Sequence, residues 1–175
     1  MVYVITGGPG FGKTSIIELL DKAGFRVCKE GARELIEQEM AQNNLTNFPS
    51  MPFDFERKIA SHRIDFLQTT KQNAVAFSDR GLPDMIAYSW YKNKLPSAWI
   101  SDAVLNYRYA PLVFVTPPWE AIFTLDEIRR ESFAEATEIH KQIIRAYQKY
   151  GYEVIDLPLT IPEQRMKFIL NFLGI

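Results

Sequence analysis

Val2-Tyr3-Val4-Ile5-Thr6-Gly7-Gly8-Pro9-Gly10-Phe11-Gly12-Lys13-Thr14-Ser15 decides the fold. A short run rich in β-branched and aromatic residues gives way to a glycine-rich turn. The turn passes directly into a segment whose apolar residues, Ile16, Ile17, Leu19 and Leu20, recur at helical spacing. Strand, loop and helix are therefore predicted in immediate succession. Gly7 to Thr14 fits the pattern G-x-x-x-x-G-K-[ST]. A glycine turn that merely links strand to helix is the plain alternative, but the fixed positions and their flanks agree on a phosphate-binding loop.

The chemistry follows from the residue types. Glycines let the backbone turn tightly and aim successive N–H groups inward, forming a nest for a β-phosphate at the positive end of a helix. Lys13 adds a cation at the β- and γ-oxygens, and the Thr14 hydroxyl is the expected Mg²⁺ ligand. The nucleotide-binding set is Gly7, Gly8, Pro9, Gly10, Phe11, Gly12, Lys13, Thr14 and Ser15. The expected ligand is ATP, or alternatively GTP, with Mg²⁺.

Beyond this unit, further apolar runs occur at Phe25 to Lys29, Ala74 to Ser78, Leu112 to Thr116 and Tyr152 to Leu157. Longer segments of helical spacing separate them, which reads as α/β. The runs are continuously apolar, as in parallel strands covered on both faces. The expected fold is a three-layer αβα sandwich around a mainly parallel five-stranded sheet. Helices are predicted over 13–23, 34–42, 53–70, 82–91, 98–107 and up to about Tyr150, with Pro162 opening a final one. Residues 1–175 are read as one domain with a lid-like segment near 119–135, and residues 43–52 as an irregular loop.

Composition narrows the function. A chain of 175 residues that is 47% hydrophobic and 23% charged is long enough for one core and unlike a disordered tract. The formal charge of −1 offers no sequence-wide basic field, so a nucleic-acid partner is not indicated. The single cysteine, Cys28, is read as a buried apolar residue, and no run approaches the ~20 apolar residues of a membrane helix. A cytoplasmic location is the expectation. His62 and His140 show no metal-ligand spacing and are read as surface or packed residues. Trp90, Trp99, Phe48, Phe53 and Phe55 are read as core before any acceptor pocket.

Residues expected at the carboxyl edge of the sheet carry the remaining chemistry. Asp79 follows the third strand and is the candidate Mg²⁺ carboxylate; the alternative is a helix N-cap, a role Asp84 could also fill. Asp79-Arg80-Gly81 resembles the Asp-Arg and Glu-Arg motifs of P-loop nucleoside and nucleotide kinases, where the arginine faces the acceptor; an exposed, salt-bridged arginine is the alternative. Glu30 ends the second strand and is a candidate general base or acceptor-positioning group, or else a helix-start acid. Arg33, one turn on, is placed to meet an anionic substrate group. Asp126-Glu127-Ile128-Arg129-Arg130-Glu131 lies where such kinases carry a mobile lid, and Arg129 is the candidate for charge neutralisation during transfer. A surface helix of alternating charge would look similar.

With these landmarks the chain resembles the small AAA-like ATPase/kinase family associated with NAD metabolism, including the ribosylnicotinamide kinase domain of bacterial NAD regulators. The resemblance runs through Gly7 to Thr14, Glu30-Gly31-Ala32-Arg33-Glu34, Asp79 and Asp126-Glu127-Ile128-Arg129. It implies ATP or GTP binding with Mg²⁺. That kinase domain has Asp-Thr-Asp after its third strand, where this chain has Ser78-Asp79-Arg80. The leading expectation is a phosphotransferase moving the ATP γ-phosphoryl group to a small-molecule acceptor. The second is a regulatory ATPase, GTPase or nucleotide-dependent switch. Asn93-Lys94-Leu95-Pro96 departs from the Asn-Lys-x-Asp of Ras-like GTPases, and no helical domain after the last strand suggests a hexameric motor. The intact Lys13 and Thr14 argue against a degenerate scaffold.

Overall fold

A computed structural model of the chain describes residues 1–29, 53–124 and 131–175. The predicted helix over 34–42 and loop over 43–52 lie outside the described residues, as do Glu30, Arg33, Phe48 and Arg129.

Five strands build the sheet: β1 (Val2–Thr6), β2 (Arg26–Cys28), β3 (Ala76–Asp79), β4 (Leu112–Val115) and β5 (Glu153–Asp156). Their spatial order is β2-β3-β1-β4-β5, and every pairing is parallel. The described helices are α1 (Lys13–Lys22), α2 (Phe53–Thr69), α3 (Leu82–Tyr91), α4 (Ala98–Asn106), α5 (Phe133–Lys149) and α6 (Pro162–Leu173), with a single 3₁₀ turn at Glu120–Ile122. Parallel strands cannot be joined by hairpins, so each connection must cross a face of the sheet, which is where the helices lie.

The period-2 geometry of β1 sorts the core into two halves. Val2 and Val4 point to one face, among Phe66 of α2, Leu82 and Ile86 of α3, Ile100 and Val104 of α4, and Ile139 and Ile143 of α5. Tyr3 and Ile5 point to the other, among Ile16, Ile17 and Leu20 of α1 and Ile169 of α6. Three layers result, as the uninterrupted apolar runs predict.

β1 sits in the centre, with β3 on one side and β4 on the other, so the chain reverses its direction of travel across the sheet beside it. The crevice at the carboxyl ends of β1 and β3 is the place where open α/β sheets gather ligands. β3 starts two residues later than its apolar run and takes in Asp79, which pairs in register with Ile5. Asp79 is thus held by the ladder itself and not by a loop. α1 ends at Lys22 with Ala23 as its C-cap, and Gly24 follows with φ 89, the left-handed position that favours glycine beyond a helix end.

Leu20 is fully buried where α1 meets the sheet. Replacing Leu20→Ala should lower the unfolding free energy by about 3 kcal/mol, through lost apolar burial and the cavity left behind. A urea titration checks this: the midpoint should fall with the slope unchanged.

Candidate functional site

The chain leaves β1 at Thr6 and turns through Gly7, whose φ of 137 an L-residue rarely adopts; a Cβ there would lie 2.4 Å from the Thr116 hydroxyl oxygen. Gly12, at φ 82 and ψ 26, is the N-cap of α1, and no side chain caps the helix. The first N–H groups of α1 thus open at a glycine, at the end where the helix dipole favours an anion. Lys13 is buried and folds back over the loop, its Nζ donating to the Gly8 carbonyl at 2.7 Å. Thr14 and Ser15, next in the first turn, are exposed.

Beside this loop lies a buried network centred on Asp84, the third residue of α3. Its carboxylate accepts from Thr6 Oγ1 at 2.5 Å and Arg80 Nη1 at 3.2 Å through one oxygen. The other oxygen accepts from the Gly81 N–H at 2.8 Å and Tyr147 Oη at 2.6 Å. Asp84 is 1% exposed, so its charge is compensated by Arg80 and three further donors instead of water. The Gly81 bond also closes the start of α3: Gly81 is the N-cap, so Asp79 does not cap this helix. Burial and the neighbouring Asp84 carboxylate push the Tyr147 hydroxyl well above its ordinary value, which keeps it a donor.

Arg80 is salt-bridged, to Asp84, but buried instead of exposed, and its backbone is left-handed at φ 67. Nη1 donates to the Gly7 carbonyl at 3.1 Å as well as to Asp84, and the guanidinium lies 5.6 Å from the Tyr88 ring centroid. Such a conformation in a non-glycine residue costs on the order of 1 kcal/mol or more, and the surrounding bonds hold it.

Three further residues, Arg63, Arg165 and Tyr147, escape local sequence reasoning, and His140 is packed, one of the two expected outcomes. Arg63 of α2 is buried and donates to the Gly81 carbonyl at 3.2 Å. Arg165 of α6 is buried and donates to the Phe11 carbonyl at 3.0 Å. Tyr147 reaches Asp84 from α5. His140, also on α5, packs edge-on against the Phe11 ring at 5.9 Å, and its Nδ1 is buried with no hydrogen-bond partner. Burial, aided by the Lys13 charge and opposed by Asp156, lowers its pKa to about 4. His62, by contrast, is exposed. Cys28 is buried as expected, and burial raises its thiol above the ordinary value, so it is no reactive thiolate.

The structure brings Lys13, Thr14, Asp79 and Arg80 to one edge of the sheet. No group of three or more His, Cys, Asp or Glu residues suited to a metal occurs among the described residues. The donor set still fits a hard cation that retains waters and shares phosphate oxygens: a hydroxyl at Thr14 and a buried carboxylate at Asp79 flank an anion cradle. Trp90 and Trp99 are half-buried against the core, as expected. No described helix is long and apolar enough to cross a membrane.

A family model described as an AAA domain matches residues 2–165. No curated protein matches the chain. Among solved structures, the crystal structure of NadR protein in complex with NR superposes with a TM-score of 0.71 at 18% identity, over 99% of this chain and 51% of that one. The chain thus spans about half the length of that protein. Deoxyadenosine kinase from M. mycoides with bound dATP gives a TM-score of 0.66 at 16% identity, covering 100% of both chains. Thymidylate kinase from Ehrlichia chaffeensis gives 0.63 at 15%, over 100% of this chain and 98% of that one. At such identities these likenesses establish a common fold.

Two outcomes follow from the buried groups. Asp84→Asn leaves Arg80 buried beside a neutral partner and should cost about 3 kcal/mol, measured by denaturant titration at neutral pH. His140 has a folded pKa of about 4 against an ordinary 6.5, so the unfolded chain binds more protons between those values. Its contribution is fully present above about pH 6.5 and is lost as pH falls toward 4. The loss should be on the order of 2–3 kcal/mol, and His140→Phe should flatten that part of the stability-pH curve.

Proposed function

The chain belongs to the AAA domain family, and from that premise we propose that it is a Mg²⁺-dependent P-loop kinase transferring the γ-phosphoryl group of ATP to a small-molecule acceptor. The observation that carries the reading is the cradle at the start of α1: an uncapped helix N-terminus behind a left-handed Gly12, with Lys13 folded over it. A triphosphate offers Lys13 charged oxygens in place of the Gly8 carbonyl, and charge-assisted bonds are the stronger. Thr14 and Asp79 would hold Mg²⁺, which when bound neutralises charge on the β- and γ-oxygens. The chain's own part is to position and to stabilise charge.

The kinase reading is favoured over a switch by the residues at the neighbouring edge. Arg80 and Arg63 are both buried and both bonded to backbone around Gly7 and Gly81, next to Asp79. Two fixed cations beside the phosphate cradle suit an enzyme that guides an anion during transfer. The named neighbours support this: a deoxyadenosine kinase, a thymidylate kinase and a protein solved with NR share the fold. On this reading Glu30 and Arg33 meet the acceptor, Arg129 comes from the lid-like segment near 119–135, and residues 1–175 act as one domain. GTP in place of ATP is the alternative donor. A nucleoside-like acceptor is the first class to test.

Lys13→Ala should abolish measurable ATP·Mg²⁺ binding in calorimetry while leaving the fold intact; unchanged affinity for ATP and GTP would remove the cradle as the site. Labelled ATP incubated with nucleosides, nucleotides and other hydroxyl-bearing metabolites should give one phosphorylated product. Slow hydrolysis with no labelled acceptor, joined to nucleotide-dependent capture of a macromolecule, would favour the regulatory switch.

A further inference from the structure

Arg165 is the one large charged side chain among the most fully buried residues described. It comes from α6, on the opposite side of the phosphate loop from Arg80. Nε donates to the Pro158 carbonyl at 2.9 Å and Nη1 to the Phe11 carbonyl at 3.0 Å, and the guanidinium stacks over Trp119 at 5.0 Å. Its Nη2 has no hydrogen-bond partner. Burial lowers its pKa, and no neighbouring acid is among the causes. A cation held this deeply by neutral carbonyls is expensive, and each such group in a folded protein calls for an explanation.

The explanation lies in the peptide planes of the loop. The carbonyl of one residue and the N–H of the next belong to one rigid unit and, in a trans peptide, point in opposite directions. No cis peptide bond occurs in the described residues. A donor that grips the Phe11 carbonyl from the α6 side therefore turns the Gly12 N–H away from α6. The same geometry holds at the other end, where Arg80 grips the Gly7 carbonyl and so orients the Gly8 N–H. Gly12 needs this most. Its φ of 82 lies where glycine is free to move, and an added Cβ there would come within 3.2 Å of Arg165 Nη1.

Resting on the reading of residues 7–14 as a phosphate cradle, we propose that Arg165 is a positioning residue for that cradle. It fixes the Phe11–Gly12 peptide so that the Gly12 N–H is presented to the nucleotide before binding, and it sets a buried positive charge beneath the phosphates. The ligand it serves is the polyphosphate of a nucleoside di- or triphosphate. Arg165 does not itself touch the reacting atoms.

The test is binding of ADP·Mg²⁺ to the full chain, followed by calorimetry and by the amide spectrum of ¹⁵N-labelled protein. In the wild type, binding should shift the Gly12 amide strongly downfield. Arg165→Met should weaken ADP·Mg²⁺ about tenfold or more, the scale of a lost bond to a charged group, and should reduce the Gly12 shift. Arg165→Lys, which keeps the charge but cannot grip two carbonyls in the fixed fork of a guanidinium, should restore part of the affinity and little of the shift. A folded Arg165→Met protein with wild-type affinity and a wild-type Gly12 shift would overturn the proposal. If neither variant folds, the wild-type Arg165 Nε–H signal decides: slow exchange and a change in shift on ADP·Mg²⁺ binding support the clamp, and an unmoved signal overturns it. Failure of the wild type to bind ADP·Mg²⁺ at all, with Lys13→Ala no different, would instead reject the cradle itself.

Discussion

The Asp84 carboxylate is the constraint on which the working edge of this protein depends. Its four donors come from four places: the end of β1, the residue after β3, the start of α3 and the last turn of α5. Apolar packing can hold a sheet and its helices together, but it is tolerant of small displacements. A buried carboxylate with two oxygens and four donors is not, because any shift leaves a charged group poorly solvated. The end of β1 is thereby fixed relative to β3 and α5. Since the phosphate loop begins one residue after Thr6, the same network fixes where the loop starts.

Arg80 extends that constraint into the loop. A guanidinium has several donors in a rigid fork, and here one nitrogen meets both Asp84 and the Gly7 carbonyl. The left-handed backbone at Arg80 is explained by this double demand. β3 must end with Asp79 in register with Ile5, and the next side chain must turn back toward β1. At the far end of the loop Arg165 grips Phe11, and α5 supplies the edge-on contacts of Phe133 and His140 to the Phe11 ring. The glycine-rich segment is thus flexible in composition and constrained in place.

Much of this was legible in the sequence, for identifiable reasons. Continuous apolar runs flanked by glycine and charge located all five strands, and Gly7 to Thr14 located the cradle, because both are properties of adjacent residues. Strand ends were less legible: the run from Ala74 suggested an earlier strand, whereas pairing with Val2 to Ile5 places it at Ala76–Asp79. For Arg80 the salt-bridged alternative is met by Asp84 four residues on, whereas its burial and its bond to Gly7, 73 residues away, have no local signal. Asp84 read as a candidate cap, which is part of its role, through Gly81. Tyr147 and Arg165 carry no local signal at all, since their partners lie 63 and 154 residues away. Only the folded sheet brings them together.

The charge at this edge argues for what it binds. Among the described residues, the buried cations are Lys13, Arg63, Arg80 and Arg165, and the buried carboxylates are Asp79 and Asp84. Each of the four cations donates to a carbonyl of the phosphate loop or of Gly81. Positive groups so arranged repel one another more strongly in a low-dielectric interior than they would in water. Arg165 is held by two carbonyls and an aromatic ring, which solvate a buried cation less well than water does. The gathering of these cations at one edge is intelligible if the complete site includes an anion of several charges. The backbone N–H groups of the cradle favour the same partner. A polyphosphate meets both demands together, whereas a single carboxylate or a neutral metabolite would satisfy neither the charge nor the number of donors.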